Sequence, residues 1–429
     1  MFRNPKLYKL SNGIRVLLDS LPNFESTALY IMVGAGSRNE SESGPRSEFG
    51  ISHALEHMMF KGTQKRTSEE IIQETAACGG LINAYTSYNL TAYHIMLLQD
   101  NLDFALDIMS DIFLNSMFPA GEFEKEKSVI VQEILSYIDN PQAQAEELLG
   151  QAVFRGGLAH DVAGTIESVV GIAREDLVDY KADNYSPENT IISLSGAGIS
   201  DAPATLVKLE KFFGGWKAGK APRDYIRTSY EQGFKRKDRP DLEHTYLKVA
   251  WQSGNALDRR RNLHAKIFAN IVGQGMHSRL YREVRDKLNL VYFIGMGNTA
   301  FEDVGLMQID AQTMPENVQA VFDATARIIR DLPANPITRE ELGRTKAIMK
   351  AAKTIAMEDP LRRADSFASE LLMFGNMRES EEFLKDLEET TIDDVMAVAK
   401  DTLGTLPSVT TYGAPHDVDL EETAKKFIP

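Results

Sequence analysis

His53 and His57 stand one helical turn apart, with Glu56 beside the second of them, in the run His53-Ala54-Leu55-Glu56-His57. On a helix, residues four apart project from the same face, so both imidazoles reach one ion. Glu56 follows His53 by three residues, where its carboxylate can hold a water at the ion's open position and take a proton from it. The order is the inverse of the commoner zinc-binding helix, in which the glutamate follows the first histidine directly. The chemistry these residue types support is zinc-assisted hydrolysis. The bland alternative is a surface helix that carries two histidines and a glutamate with no metal. Against it, the flanking Ile51, Ala54, Leu55, Met58, Met59 and Phe60 are apolar. Such a helix is largely buried, and buried ionisable groups need partners.

Those groups must be positioned by the elements around them. A second helix is expected over about 121–138, carrying Glu126 and Glu133 two turns apart on one face. The chain also repeats itself. Ile138-Asp-Asn-Pro141 leads into the helical run Ala145–Leu149, and Met357-Glu-Asp-Pro360 leads into Ala364–Leu372. The two prolines lie about 219 residues apart, roughly half the chain, as expected of a duplicated unit. The strand-like run 28–33 before Gly34-Ala-Gly36 is matched by 246–251 before Gly254, and 190–194 by 408–412. The same offset puts Thr345 and Ala352 opposite Glu126 and Glu133, and Ile271-Val-Gly-Gln-Gly275 opposite the His/Glu run. One half carries the chemistry; the other keeps only the scaffold.

Mixed strands and helices without strict alternation predict an α+β fold. Two homologous domains are expected, each a mainly antiparallel β-sheet covered by helices on one face. The boundaries are 1–222 and 232–429, with the linker at about 217–239, rich in Lys, Arg, Gly and Pro. The length of 429 residues suits two such domains. A formal net charge of −15 argues against nucleic acid as a partner. That charge is compatible with basic peptides as ligands, and equally with an ordinary soluble surface. The single cysteine, Cys78, excludes an intramolecular disulfide and disfavours a cysteine-ligated metal. No apolar run is long enough to cross a bilayer, and the N-terminal residues read as neither signal nor transit peptide. A cytoplasmic location with no membrane partner is the expectation. Gly273-x-Gly275 lacks the third glycine of a dinucleotide fingerprint, so nucleotide binding is not expected.

The run Gly50-Ile-Ser-His53-Ala-Leu-Glu56-His57-Met-Met-Phe-Lys-Gly-Thr63 resembles the active-site helix of the inverzincin peptidases. This is the insulinase and mitochondrial processing peptidase (pitrilysin-like) family, and the short two-domain branch is the nearer match. In that family the third ligand is a glutamate about 76 residues after the second histidine, which is Glu133 here. A functionally important acid seven positions earlier corresponds to Glu126. Gly79-Gly-Leu-Ile-Asn83-Ala84-Tyr-Thr86 resembles the edge strand on which family members lay substrate. Arg285 and Tyr292, after Gly273-Gln-Gly275, resemble the family's Arg…Tyr pair that reaches the substrate from the opposite wall. The stretch Gly156–His160 before Gly164-Thr165 departs from the family's usual turn, a difference expected to alter a loop and not the chemistry.

The resemblance implies a zinc endopeptidase for peptides or presequence-like unfolded segments. His53, His57 and Glu133 would hold one Zn2+ per chain, a set that also accepts cobalt or manganese. Glu56 is the expected base, and Glu126 the residue that orients a histidine ligand. Arg285 and Tyr292 would donate to the developing oxyanion or an adjacent substrate carbonyl. Asn83 and Ala84 would bind the peptide as an added strand. Each has a plainer reading: a helix-surface carboxylate for Glu126, a strand-entry turn for Asn83, a helix-end cation for Arg285 and a core aromatic for Tyr292. Double-length relatives enclose a chamber with four such domains, so a two-domain chain implies a homodimer with the site completed in trans. The competing class is a noncatalytic peptide-binding or assembly subunit of a larger complex.

Overall fold

The computed structural model describes residues 4–41, 47–217, 223–378 and 380–428. The chain divides into two compact units, neither continuous in sequence. The first comprises residues 1–135, 160–226 and 353–380; the second comprises 136–159, 227–352 and 381–429.

The first unit is built on a six-stranded sheet of β1 (Lys6–Lys9), β2 (Arg15–Ser20), β3 (Ser26–Val33), β4 (Leu81–Thr86), β5 (Thr91–Leu98) and β6 (Thr190–Gly196). The spatial order is β1-β2-β6-β3-β5-β4. All neighbours are antiparallel except β2 and β6. The strict side-chain alternation of β3 and β5 gives the sheet two apolar faces. Leu29, Ile31, Val33, Tyr93 and Ile95 face a large core that also holds Ile51, Ala54, Leu55 and Met58 of helix α1 (Ile51–Met58). Phe123 and Ile130 of α2 (Ala120–Ile138) complete that side.

The second unit has a five-stranded sheet of β7 (Phe234–Asp238), β8 (Thr245–Ser253), β9 (Phe293–Ala300), β10 (Gly305–Thr313) and β11 (Ser408–Gly413), in the order β9-β10-β8-β11-β7. Its single parallel pair is β11 with β7. Strand for strand this is the β4-β5-β3-β6-β2 order of the first sheet, so the repeat read from the sequence is a repeat of topology. Trp251, Phe268 and Phe322 anchor the core on one face.

The two sequence halves exchange a helix. Helix α3 (Pro141–Val153), capped by Asn140, packs Ala145 and Leu148 against Tyr412 in the second unit. Helix α4 (Arg339–Ala356) leads to α5 (Pro360–Phe374), capped by Asp359. Helix α5 packs Ala364, Phe367, Ala368 and Leu371 against Leu17, Tyr30 and Met32 on the second face of the first sheet. Each half thus covers one face of its sheet with its own helices, as expected, and the other face with a borrowed one. The division into 1–222 and 232–429 differs from the compact units for this reason: these apolar helix faces bury on the other half's sheet. Residues 218–222 of the expected linker lie outside the described residues.

One buried ion pair fastens the borrowed helix. Arg363 is fully buried; its Nε and Nη2 donate to Asp19 Oδ2 and Oδ1 at 2.5 and 2.8 Å, and the Ser195 hydroxyl donates to Asp19 at 2.7 Å. Removing one partner would leave the other charge uncompensated in the interior. Asp19→Ala is therefore expected to lower stability by about 3–5 kcal/mol in urea or thermal unfolding.

Candidate metal centre

Helix α1 is eight residues long and carries both histidines. Ile51, Ala54, Leu55 and Met58 bury one stripe of it, which turns His53 and His57 towards α2. There Phe123, Ile130 and Ile134 are buried, and Glu126 and Glu133 occupy the neighbouring stripe. The sequence spacing on both helices converges on one point.

His53 Nε2 and His57 Nε2 lie 3.2 Å apart, and Glu133 Oε2 is 3.7 and 3.6 Å from them. A tetrahedral zinc with bonds of about 2.0–2.2 Å separates its ligand atoms by roughly 3.3–3.6 Å. The three atoms fit that triangle. It is the one group of three His, Cys, Asp or Glu side chains in metal-holding geometry among the described residues.

Electrostatics agree. Glu126 accepts from His57 Nδ1 at 2.8 Å and pairs with Lys61 Nζ at 2.6 Å. With its proton held on Nδ1, His57 presents the Nε2 lone pair to the centre. Two nitrogen lone pairs facing each other at 3.2 Å repel unless a cation lies between them. Burial pulls the His53 imidazole down to about 4, helped by the charge of His57, so it stays neutral and able to ligate. Burial opposes ionisation of Glu126, but hydrogen bonds from His57 and Lys61 outweigh it and hold its carboxyl below the usual range. His57 is raised: burial pulls it down, and the Glu126 hydrogen bond with the charges of Glu56, Glu126 and Glu133 overcomes that.

Glu56 has a raised pKa, chiefly from burial, partly offset by a hydrogen bond from Thr86. The Thr86 hydroxyl donates to Glu56 Oε2 at 2.7 Å. Thr86 is the last residue of β4, which pairs with β5 alone and leaves its other edge open. Alternation sends Ala84 and Thr86 to the α1 side, while Tyr85 reaches the opposite face and donates to Asp365 of α5 at 2.5 Å. The Ala84 amide donates to Asn83 Oδ1 at 2.9 Å, so in this structure the Asn83 side chain occupies that donor on the edge strand. Thr86 and Lys61 were not singled out by the sequence reading. The i+2 spacing of Thr86 from Ala84, and of Lys61 four residues after His57, are the signals that mark them.

Arg285 and Tyr292 belong to the second unit. Arg285 sits in a π-helical turn, Tyr281–Lys287, donating to the Tyr281 hydroxyl with its guanidinium 4.7 Å from that ring's centre. Turns of this kind occur often at functional sites. Tyr292 is 75% exposed, which removes the core-aromatic reading. In the second half, the offset positions are a buried Thr345 and an exposed Ala352 on α4. The helix in the place of α1, Arg259–Gly273, has no matching His/Glu pair.

Residues 15–166 match the family profile of insulinase (peptidase family M16), and residues 171–349 match that of the M16 inactive domain. The chain belongs to the M16 family. Among curated relatives, an uncharacterized zinc protease of Bacillus subtilis is 30% identical over 397 residues, spanning 92% of this chain and 95% of that protein. One from Rickettsia felis is 30% identical over 421 residues, spanning 97% and 99%. Among solved structures, a protease from Helicobacter pylori shares the fold with a TM-score of 0.87 at 19% identity, over 97% of this chain and 100% of that one. A chain of Complex III2 from Candida albicans does so with a TM-score of 0.84 at 20% identity, over 99% and 100%. No helix among the described residues is long and apolar enough to cross a membrane.

Two substitutions separate the parts of this candidate centre. Glu126→Gln is expected to weaken zinc affinity roughly 10- to 100-fold in competition with a chelator, because it removes the charge that orients His57. Thr86→Val is expected to leave zinc affinity unchanged and slow peptide hydrolysis about tenfold, the loss of one hydrogen bond to a carboxylate.

Proposed function

We propose that this chain is a zinc-dependent endopeptidase acting on peptides or presequence-like unfolded segments. The observation that carries the reading is the convergence of His53 Nε2, His57 Nε2 and Glu133 Oε2 in a zinc-sized triangle with Glu56 beside it on the same helix. Membership in M16, and relatives named zinc proteases, support it.

His53, His57 and Glu133 would hold one zinc per chain. When bound, the ion supplies an acidified water and polarises the scissile carbonyl. Glu56 accepts the water's proton and passes it to the leaving amine nitrogen. Thr86 holds one Glu56 oxygen and leaves the other to face the reacting atoms. Peptide main chain adds to the open edge of β4 at Asn83 and Ala84, binding extended segments with little regard to sequence. Arg285 and Tyr292 donate to the oxyanion or to a neighbouring carbonyl. We assign them to the partner copy in a homodimer that encloses the substrate, as in the duplicated architecture of longer relatives.

Glu56→Gln is expected to lose roughly 100-fold or more in cleavage of a quenched-fluorescent unstructured peptide while retaining zinc. Wild type that binds zinc and cleaves no peptide in a varied set would favour the second reading, a noncatalytic assembly subunit. The fold shared with a Complex III2 chain is the observation on that side. Mixing Arg285→Ala with Glu56→Gln subunits tests the shared site. Recovery of activity on mixing is expected, and no recovery despite subunit exchange would reject completion in trans.

A further inference from the structure

Helix α1 follows Gly50, its N-cap residue, whose φ of 89° lies in the left-handed region. A Cβ there would come within 2.5 Å of the Ala163 carbonyl oxygen. The position therefore excludes the Ser, Thr, Asp or Asn that would cap the helix from its own N-cap. The cap comes from elsewhere. Glu40 is wholly buried; its Oε2 accepts the Gly50 amide at 2.9 Å, and its Oε1 accepts the Ser52 amide at 3.0 Å together with the Ser52 hydroxyl. His53 is the next residue. His160 Nε2 lies 3.7 Å from Glu40 Oε2 and 3.1 Å from the Ser37 carbonyl oxygen, and its ring stacks on Phe49 with centroids 4.1 Å apart. A Cβ on Gly164 would fall 2.4 Å from the Phe49 carbonyl oxygen, so the 160–164 loop lies backbone to backbone against the start of the helix.

We infer that Glu40, steadied by His160, is a positioning residue of the metal centre. It fixes the first turn of α1 from outside the helix, and through that turn the directions of His53 and His57. A carboxylate suits the place because it faces two amide donors and a hydroxyl at the positive end of the helix. The short turn at Gly156–His160 is then the part of the loop that delivers the imidazole. This role rests on the zinc reading of His53, His57 and Glu133.

Three variants test it: Glu40→Gln, which puts an amide donor against donors; His160→Ala; and Ile309→Ala, a truncation in the second unit's core that costs stability without touching α1. Zinc affinity is read by chelator competition, ligand geometry by the absorption spectrum of the cobalt-substituted protein, and stability by thermal unfolding. Glu40→Gln should weaken zinc roughly 10- to 100-fold and shift the cobalt bands, with peptide KM nearly unchanged. His160→Ala should move both in the same direction by less, and His160→Gln, which keeps an N–H donor, should recover part of the loss. Ile309→Ala should lower the melting temperature and leave zinc affinity and cobalt spectrum at wild-type values. Wild-type zinc affinity and cobalt spectrum in Glu40→Gln would overturn the role, whatever happens to its stability. So would a weakening of zinc that Ile309→Ala reproduces. A wild-type protein that binds no zinc would overturn the metal reading itself, and this role with it.

Discussion

A helix of eight residues is too short to persist by itself in water, because the cost of its first turn is not recovered over so few hydrogen bonds. Helix α1 nevertheless has to hold two imidazoles within a few tenths of an ångström of a shared point. Its rigidity is imported from every side. Ile51, Ala54, Leu55 and Met58 are sunk in the core, Glu40 ties the first turn, Glu126 orients His57, and Thr86 holds Glu56. The open edge of β4 ends at that same Thr86, so the strand that would receive a peptide and the base that would act on it are joined by one hydrogen bond.

Concentrating ionisable groups in this way is unfavourable without compensation. Two imidazoles and three carboxylates crowd a part-buried site, and burial alone would drive the carboxyls to protonate and the imidazoles to stay neutral. The arrangement resolves the conflict group by group. Lys61 and His57 keep Glu126 ionised, while His53 is left neutral by burial. The remaining demand is for positive charge among the three converging atoms, and a divalent cation would meet it.

The exchange of helices between the halves supports the first unit in a second way. Its sheet is covered on one face by α1 and α2 and on the other by α5, a helix that arrives after four of the second sheet's five strands and before β11. Arg363 and Asp19 lock that helix in place, and Asp365 of the same helix accepts the hydroxyl of Tyr85 on the edge strand. The duplicated scaffold therefore supports the half that carries the His/Glu cluster, even though its own offset positions, Thr345 and Ala352, hold no acidic side chains.

Much of this was legible in the residues alone. The i, i+3, i+4 spacing of His53, Glu56 and His57, and the two-turn spacing of Glu126 and Glu133, are properties of helix geometry and need no tertiary information. The repeat at Pro141 and Pro360 showed in turn chemistry and hydrophobic runs, and it appears as matching strand order in the two sheets. The contiguous division at about 217–239 did not describe the compact units, because which sheet an amphipathic helix covers depends on surfaces far away in sequence. The contacts of Glu40 and Thr86 were hidden for the same reason: their partners lie 12 and 30 residues off, and strand alternation, which marks the face of Thr86, does not say what that face meets. The sequence by itself determined the ligand types, their faces and the duplication, since these follow from periodicity within single elements. Only the tertiary structure decided which helix covers which sheet, what caps α1 and what holds the base, since each depends on contacts between segments that no spacing rule connects.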